Sequence, residues 1–263
     1  MIKAIFFDLD DTLLWDERSV EEAFSATCQK AAEQYELQPE QLEEAVRQQA
    51  RELYMSYETY PFTEKIGINP FEGLWGDFKE GEQAEFHKMR EIVPAYRRDA
   101  WTMGLEQIGV HDPELGESLA ELFPAERRKR PIVYEETYSA LDQLKEKYPL
   151  LLLTNGSPDL QKEKLSAVPE LAAYFDHIVI SGQFGIGKPD HSIFEHALEL
   201  LSVDNNEAIM VGDKLTTDIL GANRTGIPSA WLNRRGVARD DAIVPTYEIH
   251  DLTELEAVIR SIA

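Results

Sequence analysis

Asp8, Asp10 and Asp11 place three acids within four residues, directly behind the apolar run Ala4-Ile5-Phe6-Phe7. Asp8 and Asp10 are two apart, so in extended backbone they share a face, and Thr12 beyond them adds a hydroxyl. Like charges this close repel, and a cation is expected among them. Two carboxylates completed by water suit Mg²⁺, which takes few ligands from a protein and keeps much of its hydration. Acids after a strand also cap turns and helices. Here the alternate spacing favours a site.

The elements that must hold these acids are legible in the same stretch. A short apolar run free of Gly and Pro reads as a central strand, and parallel α/β sheets hold ligands at the carboxyl ends of their strands. Three later segments repeat the pattern. Leu150-Leu151-Leu152-Leu153 leads into Thr154-Asn155-Gly156-Ser157, and His177-Ile178-Val179-Ile180-Ser181 leads into Gly182 and on to Lys188-Pro189. Ala208-Ile209-Met210-Val211 leads into Gly212-Asp213 and on to Asp218. Helical patterns lie between them, one through Tyr134, Tyr138, Leu141, Leu144 and Tyr148, another through Ile193, Phe194, Ala197, Leu198 and Leu201. The alternation implies a parallel sheet whose polar tails converge on one edge.

Such a convergence fits phosphoryl transfer, which needs an in-line nucleophile and neutralised charge around the equatorial oxygens. Asp8 can be the nucleophile, splitting one hard step in two through an aspartyl-phosphate. Lys188 supplies positive charge that pairs with Asp8 and the phosphate, while Thr154 and the amides of Asn155 and Gly156 can donate to phosphate oxygens. Residues 182–188 also fit half of a P-loop, but Pro189 stands where the metal-binding hydroxyl belongs and the run does not follow the first strand.

The ordered set Asp8-x-Asp10-x-Thr12, Thr154-Asn155-Gly156, Lys188-Pro189 and Gly212-Asp213 with Asp218 resembles the four motifs of the haloacid dehalogenase-like hydrolase superfamily, over roughly residues 1–15 and 130–235. Asp218-Ile219-Leu220-Gly221-Ala222-Asn223 and Trp231-Leu232-Asn233-Arg234-Arg235-Gly236 resemble it as well. The resemblance implies a three-layer, Rossmann-like α/β core. It also implies Asp8 as nucleophile and Asp10 as general acid, then general base. For Mg²⁺ the expected ligands are a carboxylate oxygen of Asp8, the backbone carbonyl of Asp10, and Asp213, with Asp218 orienting them or ligating directly.

The implied activity is a Mg²⁺-dependent phosphatase of small phosphorylated metabolites, with phosphoserine as the specific candidate and a nucleoside or sugar phosphate as the alternatives to it. Dehalogenation is disfavoured because the superfamily's dehalogenases lack an acid at the position of Asp10. A phosphomutase of the same superfamily is the alternative. A phospho-Asp signalling or binding protein is another, disfavoured by the length of the chain and by the second acid beside the nucleophile.

Composition bounds the rest. With 263 residues and 43% apolar content, the chain can build a substantial core and a smaller second unit. A net charge of -23, from 49 acids against 26 bases, opposes nucleic acid and anionic lipid, so the expected partner is a small phosphate ester, met by a monomer or homodimer. No apolar run approaches a membrane span and no secretory signal opens the chain, so a cytoplasmic location is expected. The single Cys28 falls on the apolar face of Val20, Phe24, Thr27, Ala31 and Tyr35, and reads as packing. The six histidines form no zinc pattern.

Between the first strand and the second lies far more chain than one crossover needs, so an inserted domain is expected at 16–129, with the core at 1–15 and 130–263. Helical faces recur at Leu42, Val46, Leu53 and Tyr57 and at Trp101, Leu105 and Ile108, and Pro61, Pro70, Pro94, Pro113 and Pro124 are expected to punctuate them. In the resembled superfamily an insert here is an α-helical cap of the first type. Its aromatic middle, from Tyr54 to Phe78, is mostly core, and Lys65, Arg97 and Arg98 are candidates to reach a substrate carboxylate. The basic run Arg127-Arg128-Lys129-Arg130 reads as a helix end, where cations are favoured.

Overall fold

The structure, a computed structural model, describes residues 1–238 and 242–262. Its contacts divide the chain into a sheet unit, Met1–Trp15, Val133–Gly156 and Val168–Ala263, and a helical unit, Asp16–Ile132 with Ser157–Ala167.

The sheet unit is built on β1 (Ala4–Phe7), β2 (Leu150–Thr154), β3 (His177–Ile180), β4 (Ala208–Gly212), β5 (Ser229–Leu232) and β6 (Tyr247–Ile249). All neighbours pair in parallel, in the order β3-β2-β1-β4-β5-β6. Every residue of β1, β2 and β4 is buried, which is why these strands read as unbroken apolar runs rather than alternating ones. Helix His191–Leu201 packs Ile193, Phe194 and Ala197 against Phe6, Leu151, Leu153 and Met210. The chain steps from β1 outward to β2 and β3, then returns to the other side of β1 for β4. Strand order therefore reverses between β1 and β4, and a crevice at that reversal is where open α/β sheets hold ligands.

The helical unit buries one face each of Asp16–Ala32, Pro39–Ser56, Ala84–Gln107 and Pro113–Arg128. Phe24 lies at its centre, with ring centroids 4.5 Å from Phe123 and 5.8 Å from Trp101. Cys28 is fully buried in the same cluster, and burial pushes its thiol well above the ordinary range, which leaves it a packing residue. The end of Pro113–Arg128 carries Arg127 and Arg128 in its last turn, where the helix dipole favours cations. Trp101→Ala should cost about 3–5 kcal/mol through the cavity it leaves. Urea denaturation reads this directly, and an unshifted midpoint would show that the unit does not rest on this cluster.

Two expectations from the sequence are corrected here. Pro70 and Pro113 do open helices, but Pro94 and Pro124 lie inside Ala84–Gln107 and Pro113–Arg128. An interior proline costs about 3 kcal/mol. Phe86, Met89, Val93, Tyr96, Trp101 and Leu105 are buried on both sides of Pro94, at about 1.5–3 kcal/mol each, and outweigh it. Arg97 is not poised for a ligand: it donates to the carbonyls of Gly73 (3.2 Å) and Gly76 and pairs with Asp77 at 3.3 Å. Arg98 pairs with Asp99 at 2.9 Å.

The stretch Ser157–Ala167 also departs from the expected division. The sequence places it with the core, whereas its helix, Pro158–Ala167, sends Leu160 into the aromatic cluster of the helical unit.

Candidate active site

The amide of Asp8 donates to Val211 O at 2.9 Å, locking the end of β1 to the end of β4 at the switch point. The chain then turns sharply. Asp11 takes a left-handed φ of 59°, a conformation Asp tolerates better than most residues, and the amides of Leu13 and Leu14 both donate to Leu9 O, at 2.9 and 3.0 Å. The turn brings Thr12 back over Asp8. The Thr12 hydroxyl donates to Asp8 Oδ2 at 3.3 Å and accepts from the Asp213 amide at 3.1 Å. Asp10 stands half-buried within the turn, its backbone bridged to Leu14.

Lys188 is buried, and its ammonium has three partners: Asp8 Oδ1 at 2.6 Å, Asp218 Oδ1 at 2.7 Å and Leu153 O at 2.7 Å. Asp8 Oδ1 and Leu153 O accept hydrogen bonds from it, and Asp218 Oδ1 stands in ion-pair contact only. Asn155 clamps the backbone of this lysine from both sides: its Oδ1 accepts from Lys188 N at 2.8 Å and its Nδ2 donates to Lys188 O at 2.9 Å. Gly156, at φ 144°, occupies a conformation that favours glycine, and its amide donates to Ser181 Oγ at 2.9 Å. Thr154 Oγ1 donates to Asn155 O at 3.4 Å. The residues expected to cradle phosphate are thus gathered at the end of β2, but here Asn155 and Gly156 hold Lys188 and the loop in place.

A π turn, Leu215–Ile219, carries Asp218 back beneath the end of β4, where its Oδ2 accepts from the Lys214 amide at 3.0 Å. Only glycine fits above it. A Cβ on Gly212 would lie 2.4 Å from the Asp218 carboxylate, so Gly212→Ala should cost about 1–3 kcal/mol and displace that acid. Thermal denaturation with and without Mg²⁺ would check it, and wild-type midpoints in both would contradict the packing described here.

Sequence reasoning missed two supports: Ser181 beneath Gly156, and Trp231, whose Nε1 donates to Asp213 O at 2.8 Å. Both contacts cross between strands, and neither residue type signals them. The nearest hint was the placement of Trp231 in a stretch resembling the superfamily.

Asp8, Asp213 and Asp218 each bring an oxygen within 4.8 Å of the others. Burial raises the Asp8 carboxyl to about 6, Lys188 pulling it back and Asp218 pushing it further. Asp213 is raised well above its ordinary value, first by burial, then by Asp8, Asp218 and Asp11. Burial lowers Lys188, but Asp218 and Asp8 outweigh it and hold the ammonium protonated. For Asp8 the sign is clear: between its unfolded value near 4 and about 6 the folded state binds more protons, so stability falls as pH rises through that window. One buried ammonium leaves three carboxylates under-compensated, and an all-oxygen donor set of this kind fits a hard divalent cation.

The sequence profile of the family described as haloacid dehalogenase-like hydrolase matches residues 2–226. The chain is 34% identical to phosphoserine phosphatase of Thermus thermophilus over 255 residues, 97% of this chain and 98% of that protein. It is 33% identical to N-acylneuraminate-9-phosphatase of Mus musculus over 181 residues, 67% of this chain and 73% of that protein. Among solved structures, the HAD hydrolase YfnB of Bacillus subtilis, bound to magnesium, superposes with a TM-score of 0.66 over 98% of both chains; at 22% identity it shares the fold. With most of its length matched by the family profile and a relative aligned almost end to end, the chain belongs to the haloacid dehalogenase-like hydrolases.

Proposed function

We propose that this hydrolase is a Mg²⁺-dependent phosphatase of small phosphate esters, that it works through an aspartyl-phosphate on Asp8, and that phosphoserine is among its substrates. Phosphoric monoester hydrolysis is the activity that its relatives' names carry to it. The observation that bears most weight is Asp8 itself, buried at the switch point with Lys188 on one oxygen and Thr12 on the other. The near end-to-end relative that is a phosphoserine phosphatase supports the substrate.

In the first half-reaction an oxygen of Asp8 forms a bond to phosphorus as the bond from phosphorus to the ester oxygen breaks, and Asp10 gives its proton to the departing alkoxide. In the second, Asp10 takes a proton from water as the water oxygen bonds to phosphorus, and the bond from phosphorus to Asp8 breaks to restore the carboxylate. Lys188 holds Asp8 ionised and aimed. Asp8, the Asp10 carbonyl and Asp213 would hold Mg²⁺, which when bound supplies positive charge against the acids and the phosphate. Asp218, with one oxygen on Lys188 and the other on the Lys214 amide, suits an orienting role better than a direct ligand. The helical unit takes the role of a type 1 cap that helps choose the leaving group. No helix among the described residues is long and apolar enough to cross a membrane.

A panel of phosphorylated metabolites, assayed for phosphate release with Mg²⁺ and with chelator, tests this reading. Release should require the metal and include phosphoserine; metal-independent release, or none from any ester, would overturn it. Because protons compete for the Asp8 and Asp213 carboxylates, apparent Mg²⁺ affinity should weaken as pH falls through about 6. Metal titrations at about pH 7.5 and about pH 5.5 measure this, and equal affinities would contradict it.

A further inference from the structure

A cavity of about 280 Å³ opens at the carboxyl ends of β4 and β5, wholly within the sheet unit. Its lining includes Lys214, Arg234 and Arg235 together with Tyr134, Asp11 and Asp213. Three cations around one small cavity are conspicuous in a chain of net charge -23. They are also unequal. Arg234 is a fixed plate: its guanidinium lies 3.7 Å from the centroid of the Tyr134 ring, which in turn stacks on Trp15 at 5.1 Å. Arg234 donates to Thr12 O at 3.1 Å and pairs with Glu136, so its charge is already met.

Lys214 differs. Its amide is tied to Asp218, but its ammonium makes no ion pair among the described residues, and its side chain is exposed at the rim of the cavity. Arg235 lines the cavity from the loop after β5. The cavity also adjoins the reacting centre: Thr12, whose carbonyl anchors Arg234, touches Asp8 through its hydroxyl, and Asp213 belongs to both cavity and acid cluster. Its size lies just below the roughly 300 Å³ at which ligand sites begin, room for one small group of a substrate.

We infer that this cavity receives a carboxylate of the leaving group, with Lys214 and Arg235 as the residues that recognise it and the Arg234–Tyr134 stack as its wall. The substrate class is then phosphate monoesters of small hydroxy acids. A monoanionic carboxylate fits better than a second phosphate, because Asp11 and Asp213 share the lining and Glu136 already neutralises Arg234. The inference rests on the phosphatase reading and assigns recognition of the carboxylate, within that reading, to the core.

O-phosphoserine and phosphoethanolamine differ only in the carboxylate and form the matched pair. The wild-type enzyme should favour phosphoserine in kcat/KM by roughly ten-fold or more, as charge-assisted hydrogen bonds at a partly exposed site allow. In the double variant Lys214→Ala/Arg235→Ala that ratio should fall at least about five-fold, chiefly through KM for phosphoserine, and Lys214→Glu should lower it as well. Lys214 is exposed and makes no ion pair among the described residues, so Lys214→Glu should melt close to the wild-type temperature and read the ratio free of any loss of stability in the double variant. A ratio unchanged in both variants, or no wild-type preference, overturns the assignment. Turnover of p-nitrophenyl phosphate by the wild-type enzyme tests the underlying reading separately. If that ester is hydrolysed while the ratio ignores the variants, only the cavity's role fails; if neither it nor any other ester is hydrolysed, both fail.

Discussion

Asp8→Asn is expected to lower phosphate release by about 10⁴-fold or more while leaving the fold intact. The amide keeps the shape of the side chain but has no anionic oxygen to bond to phosphorus. Lys188 retains Asp218 and Leu153 O, so the buried ammonium stays paired. Stability should respond to pH with a definite sign. Burial disfavours the charged form of Asp8, so in metal-free buffer the wild type loses stability as pH rises through about 6, and a neutral Asn does not. The melting-temperature difference, variant minus wild type, should therefore grow between about pH 5 and about pH 7.5. Near-wild-type turnover with an unchanged circular dichroism spectrum would remove Asp8 from the nucleophile's role.

Lys188→Met should have the second largest effect, and on two observables at once. It removes the ammonium that three partners share and leaves the carboxylates of Asp8 and Asp218 facing each other in a buried site. Breaking a buried pair in this way costs about 3–5 kcal/mol. Activity should fall about 10³-fold, because Asp8 loses both its orientation and the charge that keeps it ionised. Excess Mg²⁺ should recover part of the lost stability by replacing positive charge, but not the activity. Denaturation midpoints and initial rates across a Mg²⁺ series separate the two, and full recovery of rate would reduce Lys188 to simple charge balance.

The strands that position the site were legible because they are buried on both faces: β1, β2 and β4 are continuous apolar runs, and Asp8, Thr154 and Asp213 stand at or just beyond their ends. β6 was not legible. Three residues with Tyr247 and Glu248 half-buried carry no period, and only pairing to β5 makes them a strand. Helix Pro158–Ala167 is not legible in the sequence, because its buried positions include Gln161 and Lys164, which no apolar pattern marks. Lys164 is buried against Asp16 at 3.3 Å and Glu72 at 3.4 Å, residues distant in sequence.

In the site, the structure brings Asp8, Thr12, Lys188, Asp213 and Asp218 together, at spacings of up to 201 positions for one hydrogen bond. What the sequence did not show was the division of labour: Asn155 clamping Lys188, Ser181 holding Gly156, and Arg234 stacked on Tyr134. Those contacts depend on side-chain reach across neighbouring loops, which residue type and spacing do not encode.

The most direct test of the account is to trap the phosphoenzyme. Phosphoserine or p-nitrophenyl phosphate is mixed with the Mg²⁺-loaded wild type and with Asp10→Asn, quenched in acid within the first turnover, and digested for peptide mass spectrometry. One phosphoryl adduct is expected on the peptide containing Asp8, longer-lived in Asp10→Asn because its water is no longer activated, and absent from Asp8→Asn. An adduct on another residue, or none in Asp10→Asn while phosphate is still released, would contradict it.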